Sequence, residues 1–153
     1  MFKIVIALLL GFSSGILIAQ NTSKPYTSKI VTFADNVNAP LTPTELAQIT
    51  EAFGDYTAQY VLDNPRILRN IKDILRNRVV VKEVTNPKER KDCDNLSTVP
   101  LFDSFVSDIR RDDYFNPNTF NPLKYNFDFY SMSSYMYKVD NTNYYIMIKS
   151  QFL

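Results

Sequence analysis

Apolar side chains recur at helical spacing in a first segment that begins near residue 42. Its apolar face consists of Leu46, Ile49 and Phe53. Thr42 and Glu45 form the pattern of a capping box, and Pro43 suits the first helical position. Gly54 favours a helix end. The pattern therefore predicts an amphipathic helix over residues 43–53.

A second helical pattern follows Asn64, a capping residue, and Pro65, which suits a first turn. Its apolar positions are Ile67, Leu68, Ile71, Ile74 and Leu75. This spacing predicts a helix over residues 65–77. The opposite face carries the cations Arg66, Arg69, Lys72, Arg76 and Arg78. Because amphipathic helices normally turn their charges to water, we interpret these cations as a solvated outer face; a patch for anionic lipid or polysaccharide is the alternative.

Three segments rich in β-branched and aromatic residues predict strands. Residues 79–84 directly follow the second helix. Residues 127–139 and 144–152 flank the turn sequence Asp-Asn-Thr-Asn at 140–143, which predicts a C-terminal β-hairpin.

Weaker patterns predict three short elements: a strand over residues 30–33, a helical turn within 55–63 and a helix over 102–110. Residues 86–95 carry six charges and no aliphatic side chain, which predicts an exposed loop. Together the elements predict the α+β class, with amphipathic helices packed on a small, mainly antiparallel sheet. We expect residues 41–153 to form a single α+β domain, preceded by an irregular lead-in over residues 20–40.

The first 19 residues carry no charge except Lys3 and end at the small residue Ala19. This pattern is typical of a secretory signal peptide. An uncleaved anchor is the alternative, since the next charge after Lys3 is Lys24. Gly11 and Gly15 interrupt the run, however, and a spanning helix needs about 20 predominantly apolar residues. We therefore expect cleavage after Ala19 and export to the periplasm, the outer membrane or the exterior.

Composition excludes several classes of chemistry. The chain has no histidine, which rules out Ser-His-Asp and Cys-His catalysis and histidine metal sites. Gly54 is the only glycine after residue 19, which excludes Gly-rich phosphate loops and dinucleotide fingerprints. The 17 basic and 16 acidic side chains nearly balance, so there is no electrostatic case for nucleic acid. We predict no metal and no cofactor.

Cys93 is the only cysteine, so no disulfide can form within the chain. We interpret it as a partly buried thiol, and pairing between two chains is the alternative.

The sequence Phe-Asn-Pro occurs twice, at residues 115–117 and 120–122. Each Asn-Pro pair favours a turn and leaves the preceding phenylalanine free to pack inward. These units, together with residues 123–125, 129–131 and 137–144, resemble small exported proteins of the Bacteroidota, flavobacteria especially. The resemblance covers about residues 60–153. It implies export and transfers no catalytic residue to this chain.

Seven tyrosines and five phenylalanines lie between Tyr114 and Leu153. We therefore expect a non-enzymatic module of the cell envelope that binds a protein or glycan partner through the aromatic hairpin. The candidate binding residues are Tyr135, Tyr137, Tyr144 and Tyr145. Because adjacent side chains on a strand point to opposite faces, at least one of Tyr144 and Tyr145 should be substantially exposed.

Two alternatives remain open. The first is a small hydrolase with paired carboxylates, for which the candidates are Asp103, Asp108, Asp112 and Asp113. Arg110 and Arg111 lie between these residues, which favours ion pairing over catalysis. The second is a membrane-tethered accessory subunit, which requires that residues 4–23 stay attached.

Overall fold

The computed structural model describes residues 30–152, so the predicted signal peptide and the beginning of the lead-in lie outside the described residues. Two helices, α1 (Pro43–Phe53) and α2 (Pro65–Asp73), precede the first strand, β1 (Val79–Glu83). Strands β2 (Tyr135–Lys138) and β3 (Tyr144–Ile148) form the C-terminal hairpin. The sheet is antiparallel with the order β1-β3-β2, which confirms the predicted α+β class and the hairpin.

Helix α1 begins and ends where the sequence predicts. The Thr42 hydroxyl accepts a hydrogen bond from the Glu45 amide at 3.2 Å, and the Thr42 amide donates to the Glu45 carboxylate at 2.8 Å. These two bonds complete the capping box. Gly54 ends the helix with a φ of +53°, which residues other than glycine rarely adopt. A Cβ at this position would lie 3.0 Å from the side chain of Val106.

The apolar face of α1 agrees with the predicted one at Ile49 and Phe53 and differs from it at Leu46. Leu46 is 41% exposed, and the buried positions are Glu45, Ile49 and Ala52. These three residues have the spacing of one helix face. Glu45 is buried because Arg76, in the turn that follows α2, binds its carboxylate. The inclusion of Leu46 in the core face was therefore wrong.

Helix α2 begins at Pro65, and the Asn64 side chain accepts a hydrogen bond from the Ile67 amide at 3.3 Å. The helix continues as a π-helical turn over Ile74–Arg78 and leads directly into β1. The predicted helix over residues 65–77 is therefore confirmed in extent, with a change of winding in its last turn. Ile71 and Ile74 are buried, as predicted.

The cationic face of α2 and of its π-helical continuation is not the solvated face that the charge pattern predicts. Arg66 and Arg69 are exposed, but Lys72 and Arg78 are buried and Arg76 is half-buried. Lys72 donates hydrogen bonds to two carbonyl oxygens of the lead-in, those of residues 37 and 39, at 3.2 and 2.8 Å. Irregular backbone leaves carbonyl groups without ladder partners, and the α2 cations satisfy them.

Arg76 extends this arrangement. Its guanidinium donates to the carbonyl oxygens of Asn36, Ala39 and Pro40, the last at 2.8 Å. The described part of the lead-in, which includes a short 3-10 turn over Asp35–Asn38, is thereby fixed along α2.

Strand β3 pairs on both sides: Ile146 is opposite Val81 of β1 and Tyr137 of β2. The turn between β2 and β3 is closed by the Val139 amide, which donates to the Tyr144 carbonyl at 2.9 Å. Asn141 in this turn has a positive φ of 56°. The predicted turn is thus confirmed.

Strand β2 is shorter than predicted, because residues 127–134 do not join the sheet. Their backbone bonds locally instead: the Phe127 amide donates to the Tyr125 carbonyl and the Phe129 amide to the Phe127 carbonyl, both at 2.9 Å. Bonds of this spacing are γ-turns. These turns place the rings of residues 125, 127 and 129 in the apolar core next to the sheet, and their backbone does not pair with a strand of the sheet.

Of the three weaker local predictions, one is confirmed and two are wrong. Residues 55–63 form a 3-10 turn over Gly54–Tyr56 and a π-helical turn over Thr57–Leu62, close to the prediction. The predicted strand at 30–33 and the predicted helix at 102–110 do not form. Leu101 forms a β-bridge with Tyr125, and the Phe102 amide donates to the Lys124 carbonyl at 2.8 Å, so the beginning of this segment pairs with a distant part of the chain.

Two apolar cores hold these elements together. The sheet core consists of Leu96, Val99, Phe120, Tyr125, Phe127, Val139, Ile146 and Ile148. The helix core consists of Ile49, Ala52, Val61, Ile71, Ile74 and Leu123. Val79 and Phe129 pack against both, so α2 is joined to the sheet through its own continuation into β1 and through the segment before β2.

Candidate ligand cleft

The four tyrosines predicted as binding residues lie on both faces of the sheet. Tyr145 is 4% exposed, and Tyr144 is half-buried with its ring 5.4 Å from the ring of Phe115. The expectation that one of this pair is substantially exposed was therefore wrong. Tyr144 points to the sheet core, while Tyr145 lies on the other face of the sheet in a small cavity whose lining includes Glu89 and Lys91 from the loop after β1.

Tyr135 and Tyr137 share one face of β2, as predicted, but they differ in exposure. Tyr137 packs against the sheet core, 5.2 Å from the ring of Phe127, and burial raises the pKa of its phenol. Tyr135 is 38% exposed, and its hydroxyl shares a hydrogen bond with Ser131 at 2.9 Å. Of the four, Tyr135 alone presents much of its ring to water.

An apolar cleft of about 600 Å³ opens elsewhere, between α2 and the segment before β2. Eight aromatic residues line it: Phe53, Tyr60, Phe102, Phe105, Tyr125, Phe127, Phe129 and Tyr130. The aliphatic lining is Ile67, Ile71, Ile74 and Leu123. Asn126 and Asp128 complete it, and among the described lining residues Asp128 is the only charged one. A cleft of this size and composition has the usual character of a binding site.

At one side of the cleft is a cluster of rings in tilted and edge-to-face contact, which we call the aromatic rim: Phe53, Tyr56, Tyr60, Phe102 and Phe105. Phe105 is at its centre, with ring centroids 4.6 Å from Tyr60 and 5.0 Å from Phe53. Tyr56 and Tyr60 remain 48% and 46% exposed. The rim is thus ordered by ring packing and still presents aromatic surface to solvent.

The rim combines segments whose proximity the sequence does not reveal. Tyr56 and Tyr60 lie on the turns after α1, and Phe102 and Phe105 lie in the irregular segment that sequence periodicity predicts as a helix. The sequence feature that could have indicated the rim is the pair Tyr56 and Tyr60. The two tyrosines are four positions apart, a spacing that brings side chains together on a helix, and their rings are in contact.

The second Phe-Asn-Pro unit positions the floor of the cleft. Asn121 is 1% exposed; its amide group donates to the Gln48 carbonyl at 2.8 Å and to the Glu51 carboxylate at 2.9 Å. Its side-chain oxygen accepts from the Leu123 amide at 3.0 Å, which forms the turn predicted for Asn-Pro. Gln48 in return donates to the Phe120 carbonyl at 3.0 Å. The unit is therefore bound to α1, and Phe120 packs inward as predicted.

Lys124, next to this turn, joins the acidic residues of two segments. Its ammonium is 2.8 Å from the Glu51 carboxylate and 2.6 Å from that of Asp112. Burial opposes ionisation of Glu51, but hydrogen bonds from Asn121 and Lys124 lower its pKa below the ordinary value. Ion pairing at Asp112 was predicted, although its partner is Lys124 and not a neighbouring arginine.

Arg111 has a different role. It donates to the carbonyl oxygens of Leu96, Ser97 and Val99, and its guanidinium lies 5.3 Å from the centre of the Tyr125 ring. Arg111 therefore fixes an irregular segment over the sheet core.

Within residues 30–152, Cys, Asp and Glu side chains form no group of three or more that could hold a metal ion. Cys93 is half-buried, and burial together with Asp92 and Asp94 raises the pKa of its thiol. In the same part of the chain, none of the helices combines the length and the apolar character that a membrane crossing requires.

Comparison of this chain with protein-family models, with curated proteins and with solved structures finds no match.

Proposed function

We propose that this protein is an exported, non-enzymatic module of the cell envelope that captures a partner protein in the aromatic cleft. The observation that carries the proposal is the aromatic rim, whose Tyr56 and Tyr60 rings are about half exposed beside a cleft of about 600 Å³. Exposed tyrosines supply contact area at low entropic cost, and binding energy at protein interfaces concentrates in such residues.

The composition of the lining favours a protein segment over a glycan. Sugar hydroxyls that enter an apolar cleft lose water and need replacement hydrogen bonds. Apart from the tyrosine hydroxyls, only Asn126 and Asp128 among the described lining residues offer polar side chains. An aliphatic or aromatic side chain of a partner makes no such demand.

The single charge in the lining specifies the partner further. Asp128 is exposed, and the surrounding rings present negative faces that attract cations. A segment with Arg or Lys next to an apolar side chain is complementary to this surface, and an acidic segment is not.

The export part of the proposal depends on residues 1–19 and on the resemblance described above. N-terminal sequencing of the protein recovered from the envelope tests it. Gln20 as the first residue supports cleavage, whereas an intact Met1 supports the membrane-tethered alternative.

The acidic residues around Lys124 favour structure over hydrolysis. Glu51 and Asp112 both bind Lys124. A general acid needs a raised pKa, and that of Glu51 is lowered. We therefore propose no catalytic residue.

Site-specific photo-crosslinking tests the cleft. A photoreactive phenylalanine analogue is placed at Tyr60 in the rim, or at Tyr114, which is 88% exposed and does not line the cleft. We expect a protease-sensitive adduct from position 60 and none from position 114. Adducts with glycan alone, or equal yields from both positions, would contradict the proposal.

Two synthetic peptides then test the chemistry of the partner. The first is a short blocked peptide with the sequence Phe-Leu-Arg-Phe, and the second carries citrulline in place of arginine. We expect both to bind and the arginine peptide to bind more tightly, because only it carries a cation. Binding must weaken in Tyr60→Ala and persist in Tyr114→Ala.

A further inference from the structure

Arg78 is the last residue of the π-helical turn and is 5% exposed. Its Nε donates to the Lys149 carbonyl oxygen at 3.2 Å. Its Nη1 is 3.9 Å from the Asp73 carboxylate, which is beyond hydrogen-bond distance. Its Nη2 is buried and has no hydrogen-bond partner among the described residues. The positive charge and the hydrogen-bond donors of the Arg78 guanidinium are therefore only partly compensated by the protein.

This arginine lines a cavity of about 460 Å³, which we call the Arg78 cavity. Its lining is Thr32, Phe33, Ala34, Asp73, Asn77, Arg78, Lys149, Ser150 and Gln151. It shares no lining residue with the aromatic cleft. The two sites can therefore be tested independently.

The charges of the Arg78 cavity favour an anion. Arg78 and Lys149 are cationic, and Asp73 is the only carboxylate among its described lining residues. One oxygen of Asp73 already accepts a hydrogen bond from Asn77 at 2.9 Å. Burial lowers the pKa of Arg78, which reflects the loss of water around its charge. A buried charge without full compensation is costly, and an anion bound in the cavity would compensate it.

We propose that the Arg78 cavity binds a small organic carboxylate. The planar guanidinium presents donors in a fork that matches the two oxygens of a carboxylate. Phe33 supplies an apolar wall, and its ring is held by Arg69, whose guanidinium is 5.4 Å from the ring centre. Lys149 is exposed at the cavity and can attract the anion.

Titration of isotope-labelled protein with benzoate, followed by NMR of the arginine side-chain Nε–H signals, tests the proposal. We expect the Arg78 signal to move with saturation, while the signal of exposed Arg66 stays in place. The same titration with inorganic phosphate distinguishes the anion class. Phosphate binding as tight as benzoate would overturn the assignment to organic carboxylates.

Variants give a second measurement, made by calorimetry. We expect Arg78→Lys to bind benzoate at least tenfold more weakly, since lysine keeps the charge but loses the fork. Lys149→Gln should weaken binding several-fold, and Arg66→Gln should leave it unchanged. Because Lys149 is exposed, its variant remains informative even if Arg78→Lys does not fold. Equal benzoate affinity in wild type and Lys149→Gln, or an unmoved Arg78 signal, would overturn the proposal.

Discussion

Arg76 binds both carboxylate oxygens of Glu45, with Nε 2.6 Å from Oε1 and Nη2 2.7 Å from Oε2. The same carboxylate accepts from the Thr42 amide at 2.8 Å, so one side chain caps α1 and joins it to the π-helical turn after α2. The hydrogen bonds from Arg76 are the main reason why the pKa of Glu45 falls from 4.5 to about 2, against the opposing effect of burial. This pair makes acid stability a direct test of the helix arrangement.

We predict that Glu45 contributes a pH-dependent part of the free energy of unfolding. Its folded pKa is below its unfolded pKa, so its contribution is fully present above about pH 4.5 and is lost as the pH falls towards about 2. The shift corresponds to roughly 3 kcal/mol. Urea unfolding of wild type and Glu45→Gln should therefore differ by about that amount at pH 6 and converge near pH 2. Glu83→Gln, at an exposed carboxylate, serves as the control. A difference that does not change with pH would contradict the prediction.

The two Phe-Asn-Pro units provide a matched pair of asparagines. Asn121 is buried and makes three hydrogen bonds, two of them to α1, whereas Asn116 is exposed and accepts one bond from the Asn118 amide. We expect Asn121→Ala to lower the free energy of unfolding by about 2 kcal/mol or more, because it leaves buried partners unsatisfied. Asn116→Ala should cost less than about 1 kcal/mol. Denaturant unfolding measures both, and equal costs would mean that the contact with α1 does not stabilise the fold.

A third pair tests the helix core. Ile71 is 4% exposed, and Leu46, which the sequence pattern also places on a core face, is 41% exposed. We expect Ile71→Ala to cost about 2 to 5 kcal/mol and Leu46→Ala less than about 1 kcal/mol. Thermal and denaturant unfolding report the difference. A cost for Leu46→Ala similar to that of Ile71→Ala would contradict the exposed position of Leu46 on α1.

The sequence predicts those parts of the fold that nearby residues determine. The capping box at Thr42 and Glu45, the Asn64 cap and the turn before Tyr144 each depend on partners within a few positions, and all are confirmed. The first half of the predicted strand over residues 127–139 does not form, because its conformation depends on distant contacts. Its composition suits a strand, but its backbone forms γ-turns that direct its rings into the sheet core.

The cations of α2 show what a local pattern leaves open. Lys72 and Arg76 occupy the polar face by spacing, yet they bind carbonyl groups more than 30 positions earlier in the chain. Helical periodicity identifies the polar face and not its partner. The aromatic cleft was missed for the same reason, since Tyr60 and Phe105 meet only through the tertiary fold.

Tyrosine substitutions separate stability from binding, and they give the last prediction. Tyr145 is 4% exposed, so Tyr145→Ala should cost about 3 to 5 kcal/mol, as other buried aromatic truncations do. Tyr60 is 46% exposed, so Tyr60→Ala should change stability by about 1 kcal/mol or less. In envelope pull-downs at equal amounts of folded protein, Tyr60→Ala should lower partner capture at least tenfold, because exposed rim rings are the expected contacts.

Asp112→Asn is the decisive comparison in those pull-downs, because Asp112 binds Lys124 and does not line the aromatic cleft. We expect this variant to retain capture, since a single peripheral carboxylate contributes little to binding spread over an aromatic surface. Loss of capture in folded Asp112→Asn, together with full capture by Tyr60→Ala, would contradict the cleft as the binding surface. The carboxylates around Lys124 would then become the site to test for hydrolysis.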